Sequence, residues 1–440
     1  MGLGYIGEHL PQEWISTFLT DLVNPKQWKT ISAKDLLDEG YVVYGANGKI
    51  GFYKEFTHEA PTLMITCRGA TCGNLHISEP CSYINGNAMA LDNQPTSLVG
   101  LKFLNYVLQA RKLDDVISGS AQPQITIQGL QDVRIPLPPL EEQKLIERKI
   151  GSALAQVDSI KTRLDQIPQI LKRFRQAVLS AAVSGRLTED VRKEKWATTT
   201  LIEVVKDRPR NGHSPKSVEF ETKYKNLTLS AVTKGYFIDG LFKFVDLNLK
   251  EDSYLWVRNG DLLIQRANSL EYVGVSAIYE GEDNKYVYPD LIMKVTPNEK
   301  ILGKFLHYSL LNIKVRKYFW ENATGTAGNM PKINQKVVSE APLLLPPIEE
   351  QTEIVARVEK LFAWADNIEK QVNAAQQRVN NLTQSILAKA FRGELTEQWR
   401  KDHPQLISGE NSAATLLAKI KAERLALAPK RKTKAKRQEA

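Results

Sequence analysis

Cys67, Cys72, His76 and Cys81 fall within fifteen residues as C-x4-C-x3-H-x4-C, four side chains of the kind that hold zinc. The spacing departs from the short C-x2-C knuckle of structural zinc sites. Three cysteines, few and odd in number, suit small buried residues of a β-rich core in a reducing cytosol better than a disulfide framework. The stretch 45–51, GANGKIG, is glycine-rich without the G-x-G-x-x-G spacing, and reads as a turn between two strands. There is no P-loop to cradle nucleotide phosphates. No N/D-P-P-Y/F run is present to accept from the amino group of a target adenine. Glu221-Thr222-Lys223 could imitate the end of a nuclease motif, but no suitably placed acidic partner is evident. A self-contained DNA methyltransferase or nuclease therefore lacks its catalytic motif. It stays as one alternative, with a coiled-coil scaffold that has no DNA role as the other.

The side chains that remain suit recognition rather than catalysis. Arg and Lys pair with guanine N7 and O6, Asn and Gln with adenine N6 and N7. In the first half of the chain the candidates are Tyr44, Asn47 and Lys49 in the glycine turn, Arg68 after a β-like run, and Ser120, Gln122 and Gln124 in a polar loop. In the second half they are Arg266, Asn268 and Ser269 in LLIQRANSLEYVG, with Asn329 and Lys332 in a second polar loop. Arg208, Arg210 and Lys216 suit phosphates, which position without specifying. The two polar loops, SGSAQPQI from 118 and TGTAGNMPKI from 324, stand at matching places, just before a strand and a long helix.

The elements that position these loops come from a repeat. Residues 138–151, PPLEEQKLIERKIG, return at 346–359 as PPIEEQTEIVARVE, and GRLTE at 185 returns as GELTE at 393, both 208 residues later. A period so long marks duplication of a whole module rather than a solenoid unit. Residues 138–190 and 346–400 read as long helices. In the first, Ile146, Ile150, Ala153, Val157, Ile160, Leu164, Ile167, Leu171, Phe174, Val178 and Ala181 step by alternating four and three. In the second, Ile354, Val358, Leu361, Ala365, Ile368, Val372, Ala375, Val379, Leu382 and Ile386 do the same. This is the heptad seam of a coiled coil. Paired prolines and acids at each start, and Gly185 and Gly393 at each end, suit helix termini. About 36 residues make a rod of about 54 Å, and the simplest partner for each seam is the other copy, antiparallel in the same chain. Pro168 interrupts the first run and predicts a kink there, absent where Gln376 stands in the second.

Composition fits a globular protein, with 42% hydrophobic and 25% charged residues. No apolar run approaches the length of a membrane span, and no signal peptide or myristoylation pattern is present. Of the net charge of +9, the last twelve residues carry +5, so the body is not uniformly basic. This basic end suits either non-specific attraction to polyanions or solubility.

The segments IPLPPLEEQ, DQIPQILKRFRQAVL, VNNLTQSILAKAFRGELTEQWR and LISGENSAA closely resemble the conserved regions of the specificity subunit of type I restriction–modification systems, IA subfamily. The resemblance implies an α+β chain with a pseudo-two-fold internal repeat. Two mixed α/β target recognition domains, 1–137 and 196–345, would be separated by two long antiparallel coiled-coil helices in spacers 138–195 and 346–403, with a C-terminal helix and basic tail over 404–440. Each recognition domain would read half of a bipartite, asymmetric double-stranded DNA site. Residues 173–187 and 384–399 would dock two methylation subunits that carry S-adenosylmethionine, and two restriction subunits would bring ATP and magnesium. No cofactor, metal, catalytic residue or membrane is implied for the chain itself. Its setting would be cytoplasmic, and acidic DNA-mimic anti-restriction proteins are plausible further partners.

Overall fold

The computed structural model describes residues 10–46, 48–119, 122–325 and 330–427. The duplication is visible as two helices of equal length. One spans Leu140–Val183 and the other Ile348–Phe391, each 44 residues, every boundary displaced by 208. Both start after a proline pair, with Gln143 N bonding the Pro139 carbonyl at 3.0 Å and Gln351 N the Pro347 carbonyl at 2.9 Å. Acids fill both first turns, where the positive end of the helix dipole favours them.

Both helices outlast their last heptad positions, Ala181 and Ile386, yet end at Val183 and Phe391, short of the expected 190 and 400. Gly185 and Gly393 each take a φ of 77°, and short 3-10 turns follow at Arg186–Thr188 and Glu394–Thr396. A glycine in the left-handed region reverses the chain and ends the helix. At about 1.5 Å per residue each helix is about 66 Å long, beyond the expected 54 Å. The first runs unbroken through Pro168. Ile160 and Leu382, both assigned to the seams, are 45% and 42% exposed. A 3.6-residue helix drifts against a strict seven-residue repeat, which carries some positions off the apolar stripe.

The chain divides into two compact units, and the long helices contribute to both. Unit 1 joins Met1–Arg163 to Ala375–Ala440. Its strand Ile15–Phe18 pairs antiparallel with Arg134–Leu137, directly before the first long helix. A four-stranded antiparallel sheet runs in the order Asn24–Gln27, Ala88–Asp92, Leu63–Thr66, Leu75–Ile77. A second sheet holds Gly48–Tyr53, Tyr41–Gly45 and Tyr83–Ile84. The helix Leu101–Arg111 buries Phe103, Leu104, Val107 and Leu108. One core joins the strand pair, the four-stranded sheet and this helix to Ile146 and Ile150 from the start of the first long helix and Leu387, Ala390 and Phe391 from the end of the second, while the three-stranded sheet packs through Tyr44 and Ile84 against Met64, Ala88 and Ala90. The two helices are therefore antiparallel within this unit. Leu416 and Ile420 of the C-terminal helix Ala413–Leu427 complete the core.

Unit 2, Leu164–Ala374, repeats the plan. Ala197–Thr200 pairs with Pro342–Leu345 before the second long helix. A four-stranded antiparallel sheet runs Arg210–Asn211, Ile292–Val295, Leu262–Gln265, Ser276–Ile278. The hairpin Tyr224–Leu227 with Phe242–Val245 and the helices Gly303–Leu311, Ile313–Glu321 and Gln335–Ser339 fill out the unit. Val178, Leu179 and Ala182 from the end of the first long helix share its core with Ile354 and Val358 from the start of the second. Phe174 meets Trp364 edge to face at 5.4 Å, and Arg175 bonds Asp366 and Glu369 at 2.6 and 2.9 Å. No helix among the described residues is long and apolar enough to cross a membrane.

Candidate nucleic-acid interface

In unit 1 the strand Leu63–Thr66 ends in a loop whose backbone is pinned from two sides. Cys67 N donates to the Asn87 carbonyl at 3.1 Å, and Ile125 N donates to the Cys67 carbonyl at 3.0 Å. Gly69 N donates to the Pro123 carbonyl at 3.0 Å, and Ser118 and Gln124 exchange two bonds of 2.9 and 2.8 Å. Unit 2 repeats this frame bond for bond. Arg266 N donates to the Leu291 carbonyl at 2.8 Å, and Ile333 N to the Arg266 carbonyl at 2.9 Å. Asn268 N donates to the Pro331 carbonyl at 3.3 Å, and Thr324 and Lys332 exchange two bonds of 2.9 Å. Cys67 thus stands where Arg266 stands, Arg68 where Ala267 does, Gly69 where Asn268 does, and Gln124 where Lys332 does. The backbone is shared and the side chains differ.

The frame gathers several of the expected residues. Arg68 and Gln124 are both exposed and joined by a β-bridge, with Gln122 exposed beside them. In unit 2 Ser269 and Lys332 are exposed, and Arg266 and Asn268 are half-buried. Arg266 donates from Nη1 to the Asp290 carbonyl at 3.3 Å. Asn268 is largely committed inside the loop: its Nδ2 donates to Gln265 Oε1 at 2.8 Å and its Oδ1 accepts from Ser269 N at 2.7 Å. Gln265, fully buried, donates onward to Thr233 Oγ1 at 2.9 Å.

Other candidates lie elsewhere. Tyr44 is 5% exposed, packed with Met64 and Ile84, and its hydroxyl accepts from Glu79 N. Lys49 is exposed and paired with Glu79 at 2.5 Å, a hydrogen bond that raises its pKa and keeps it charged. Arg208, Arg210 and Lys216 are exposed, and the Arg210 guanidinium lies over the Tyr254 ring at 5.2 Å. Asn47, Ser120 and Asn329 lie outside the described residues. Cys67 is buried in the core, where it accepts from Gln27 Nε2 at 3.1 Å. Burial pushes the Cys67 and Cys72 thiols up. Among the described residues no three His, Cys, Asp or Glu side chains gather as a metal set.

Two carboxylates that sequence reasoning took only for helix-dipole acids prove to be the anchors of the frame. Glu142, fully buried, accepts from Trp14 Nε1 at 2.8 Å, Thr396 Oγ1 at 2.6 Å and Arg400 Nη1 at 2.6 Å. Glu350 accepts from Trp196 Nε1 at 2.9 Å and Thr188 Oγ1 at 2.7 Å, with Arg192 Nε at 3.5 Å. Each node ties the start of one long helix to the turn that ends the other and to the residue that opens its unit's terminal strand pair. The repeat offset of 208 links Glu142 to Glu350, Thr188 to Thr396 and Arg192 to Arg400, and was the available signal. The same offset aligns Pro123-Gln124-Ile125 with Pro331-Lys332-Ile333.

Two stretches, residues 11–169 and 193–376, match the family described as type I restriction modification DNA specificity domain, one over each globular segment and the helix after it. The chain belongs to the type I restriction-modification specificity subunits. It is 43% identical over 340 residues to the EcoKI specificity subunit of Escherichia coli K12, covering 76% of this chain and 73% of that one. It is 35% identical to the EcoDI specificity subunit of Escherichia coli over 94% of this chain and 98% of that one. The fold of this specificity subunit also resembles the HsdS subunit from Thermoanaerobacter tengcongensis, with a TM-score of 0.56 at 17% identity, covering 88% of this chain and 98% of that one. A chain from a study of assembly and conformational transition of the type I R-M system gives 0.61 at 16%, over 88% and 100%.

Proposed function

We propose that each unit of this specificity subunit reads one half of a bipartite, asymmetric site in double-stranded DNA. The carrying observation is the bridged loop frame that recurs in both units with different side chains on it. In unit 1 it presents Arg68, Gln122 and Gln124; in unit 2 it presents Arg266, Asn268, Ser269 and Lys332. Such groups discriminate base edges in the major groove. Arg208, Arg210 and Lys216 hold phosphates and set the register of the duplex. The helices of matched length set the gap between half-sites, and residues 173–187 and 384–399 dock two methylation subunits. Those partners carry S-adenosylmethionine and methylate adenine after flipping it from the stack. Two restriction subunits supply ATP- and magnesium-dependent cleavage. The chain itself performs no chemistry and works in the cytoplasm, where acidic proteins that mimic DNA compete for the surface that holds the duplex.

Methylome sequencing of cells that express the chain with its methylation subunits tests this reading. The expected result is one adenine-methylated motif made of two unlike halves around a fixed gap. A continuous motif, or methylation by the chain alone, overturns it.

A further inference from the structure

The loop of residues 266–274 leaves the central sheet of unit 2 at Gln265 and returns at Val275. Its neck is closed by Gln265 N to the Val275 carbonyl and Gly274 N to the Gln265 carbonyl, both 2.8 Å. The outgoing arm is held by the bridge to Lys332. The return arm is held from below by Arg316 of the helix Ile313–Glu321. Arg316 is 6% exposed. Its Nη1 donates to the Val273 carbonyl, and its Nη2 donates to the Glu271 carbonyl at 2.6 Å. Among the described residues no carboxylate forms an ion pair with it. A buried guanidinium without a counter-charge is costly, and here both of its donating arms serve the backbone of one loop.

Gly274 shows how closely the loop is fitted to that helix. It takes a φ of +76°, and a Cβ there would lie 2.4 Å from Phe319 Cδ2 and 3.1 Å from Arg316 Nη1. In unit 1 the corresponding neck glycine, Gly73, faces the side chains of Ile117 and Ile125 at 3.6 and 3.9 Å. One loop rests on apolar side chains; the other is drawn down by a cation.

We infer that Arg316 is a positioning residue for sequence specificity, which fixes the return arm so that Asn268, Ser269 and Leu270 meet DNA in one conformation. A loop held in one shape leaves a wrong base with unpaired polar groups, whereas a loose loop adapts to it. The inference rests on the reading of this loop as a base reader.

The test uses the full chain assembled with its methylation subunits and a duplex library varied one base at a time in both half-sites. R316K keeps the charge but not the planar fork that serves two carbonyls; R316M removes the charge. Selectivity at one or more second-half positions should fall about tenfold in R316M, the order carried by one base pair. The fall should be smaller in R316K, and first-half selectivity should stay at the wild-type value. Should R316M fail to fold, R316K decides. Wild-type selectivity in the second half, or equal losses in both halves, overturns the inference. The paired variant N268A/S269A separates the two levels. If it also leaves second-half selectivity intact, the loop is no reader and that reading falls. If it relaxes selectivity while the Arg316 variants do not, only the role of Arg316 falls.

Discussion

Glu142 and Thr396, 254 residues apart in sequence, are joined by a buried hydrogen bond of 2.6 Å. The same pairing occurs in the other unit, where Thr188 donates to Glu350 at 2.7 Å. The nodes differ in their third member. Arg400 sits 2.6 Å from Glu142 with both side chains almost wholly buried, whereas Arg192 is 3.5 Å from Glu350 and 30% exposed. Breaking a buried pair leaves its partners desolvated and unmatched, at about 3–5 kcal/mol, while a partly exposed one costs far less. E142A should therefore destabilise unit 1 by about 3 kcal/mol or more, and E350A should cost unit 2 clearly less. Denaturant unfolding followed at Trp14 and Trp196 measures both; equal losses would contradict the ranking.

A buried histidine should contribute to the acid response of unit 2. His307 is buried beside Ser276, whose Oγ lies 3.1 Å from its Nδ1. Burial lowers its pKa from 6.5 to about 4, with a backbone hydrogen bond to Gly235 working the other way. Below pH 6.5 the unfolded chain binds a proton that the folded chain refuses until about pH 4. Stability contributed by the neutral ring is thus full above pH 6.5 and falls as pH drops, by about 3 kcal/mol at pH 4. H307Q should be less stable at neutral pH yet show a flatter loss between pH 6.5 and 4. A parallel pH profile for the variant would show that another group carries the response.

The half-sites should respond separately. Arg68 and Lys332 are both exposed, on the two facing arms that the bridge joins in each loop frame. R68A should relax the first half-site alone and K332A the second alone, each by about 1–3 kcal/mol at one position. On its proposed role as a phosphate contact, R210A should weaken all sequences alike and reduce the salt slope by about 1. Binding titrations of the assembled complex at several salt concentrations distinguish the two classes; loss of selectivity in R210A would reassign it to a base.

Much of this architecture was legible because it was written twice. The 208-residue offset placed both long helices and both cap glycines, since heptads and left-handed glycines are local signals. The seams were less faithful, as exposed Ile160 and Leu382 show, because periodicity reports a stripe and not what covers it. Tyr44 looked available beside the glycine turn but lies in the core; strand alternation alone does not say which face is buried. Glu142 and Glu350 were visible only as helix-start acids, because their donors come from residues up to 258 positions away. Arg316 left no trace at all, since its partners are backbone carbonyls 43 and 45 residues distant and carry no side-chain signature.

On the proposed reading, in which the matched helices set the gap between half-sites, that gap should be adjustable. Four residues added to each lengthen it by about 6 Å, close to two base pairs of about 3.4 Å, and rotate the continuation by about 40°. The insertions belong near residues 163 and 375, where the chain passes between the two units and each buried node is left intact. The loop frames are untouched, so the bases read in each half should be unchanged while the gap grows by one or two base pairs. Inserting into one helix alone breaks the 44-to-44 match and should cost stability without defining a new gap. Methylome sequencing of the doubly lengthened chain reads the outcome directly. Retention of the original gap would show that the helices do not set the distance between half-sites.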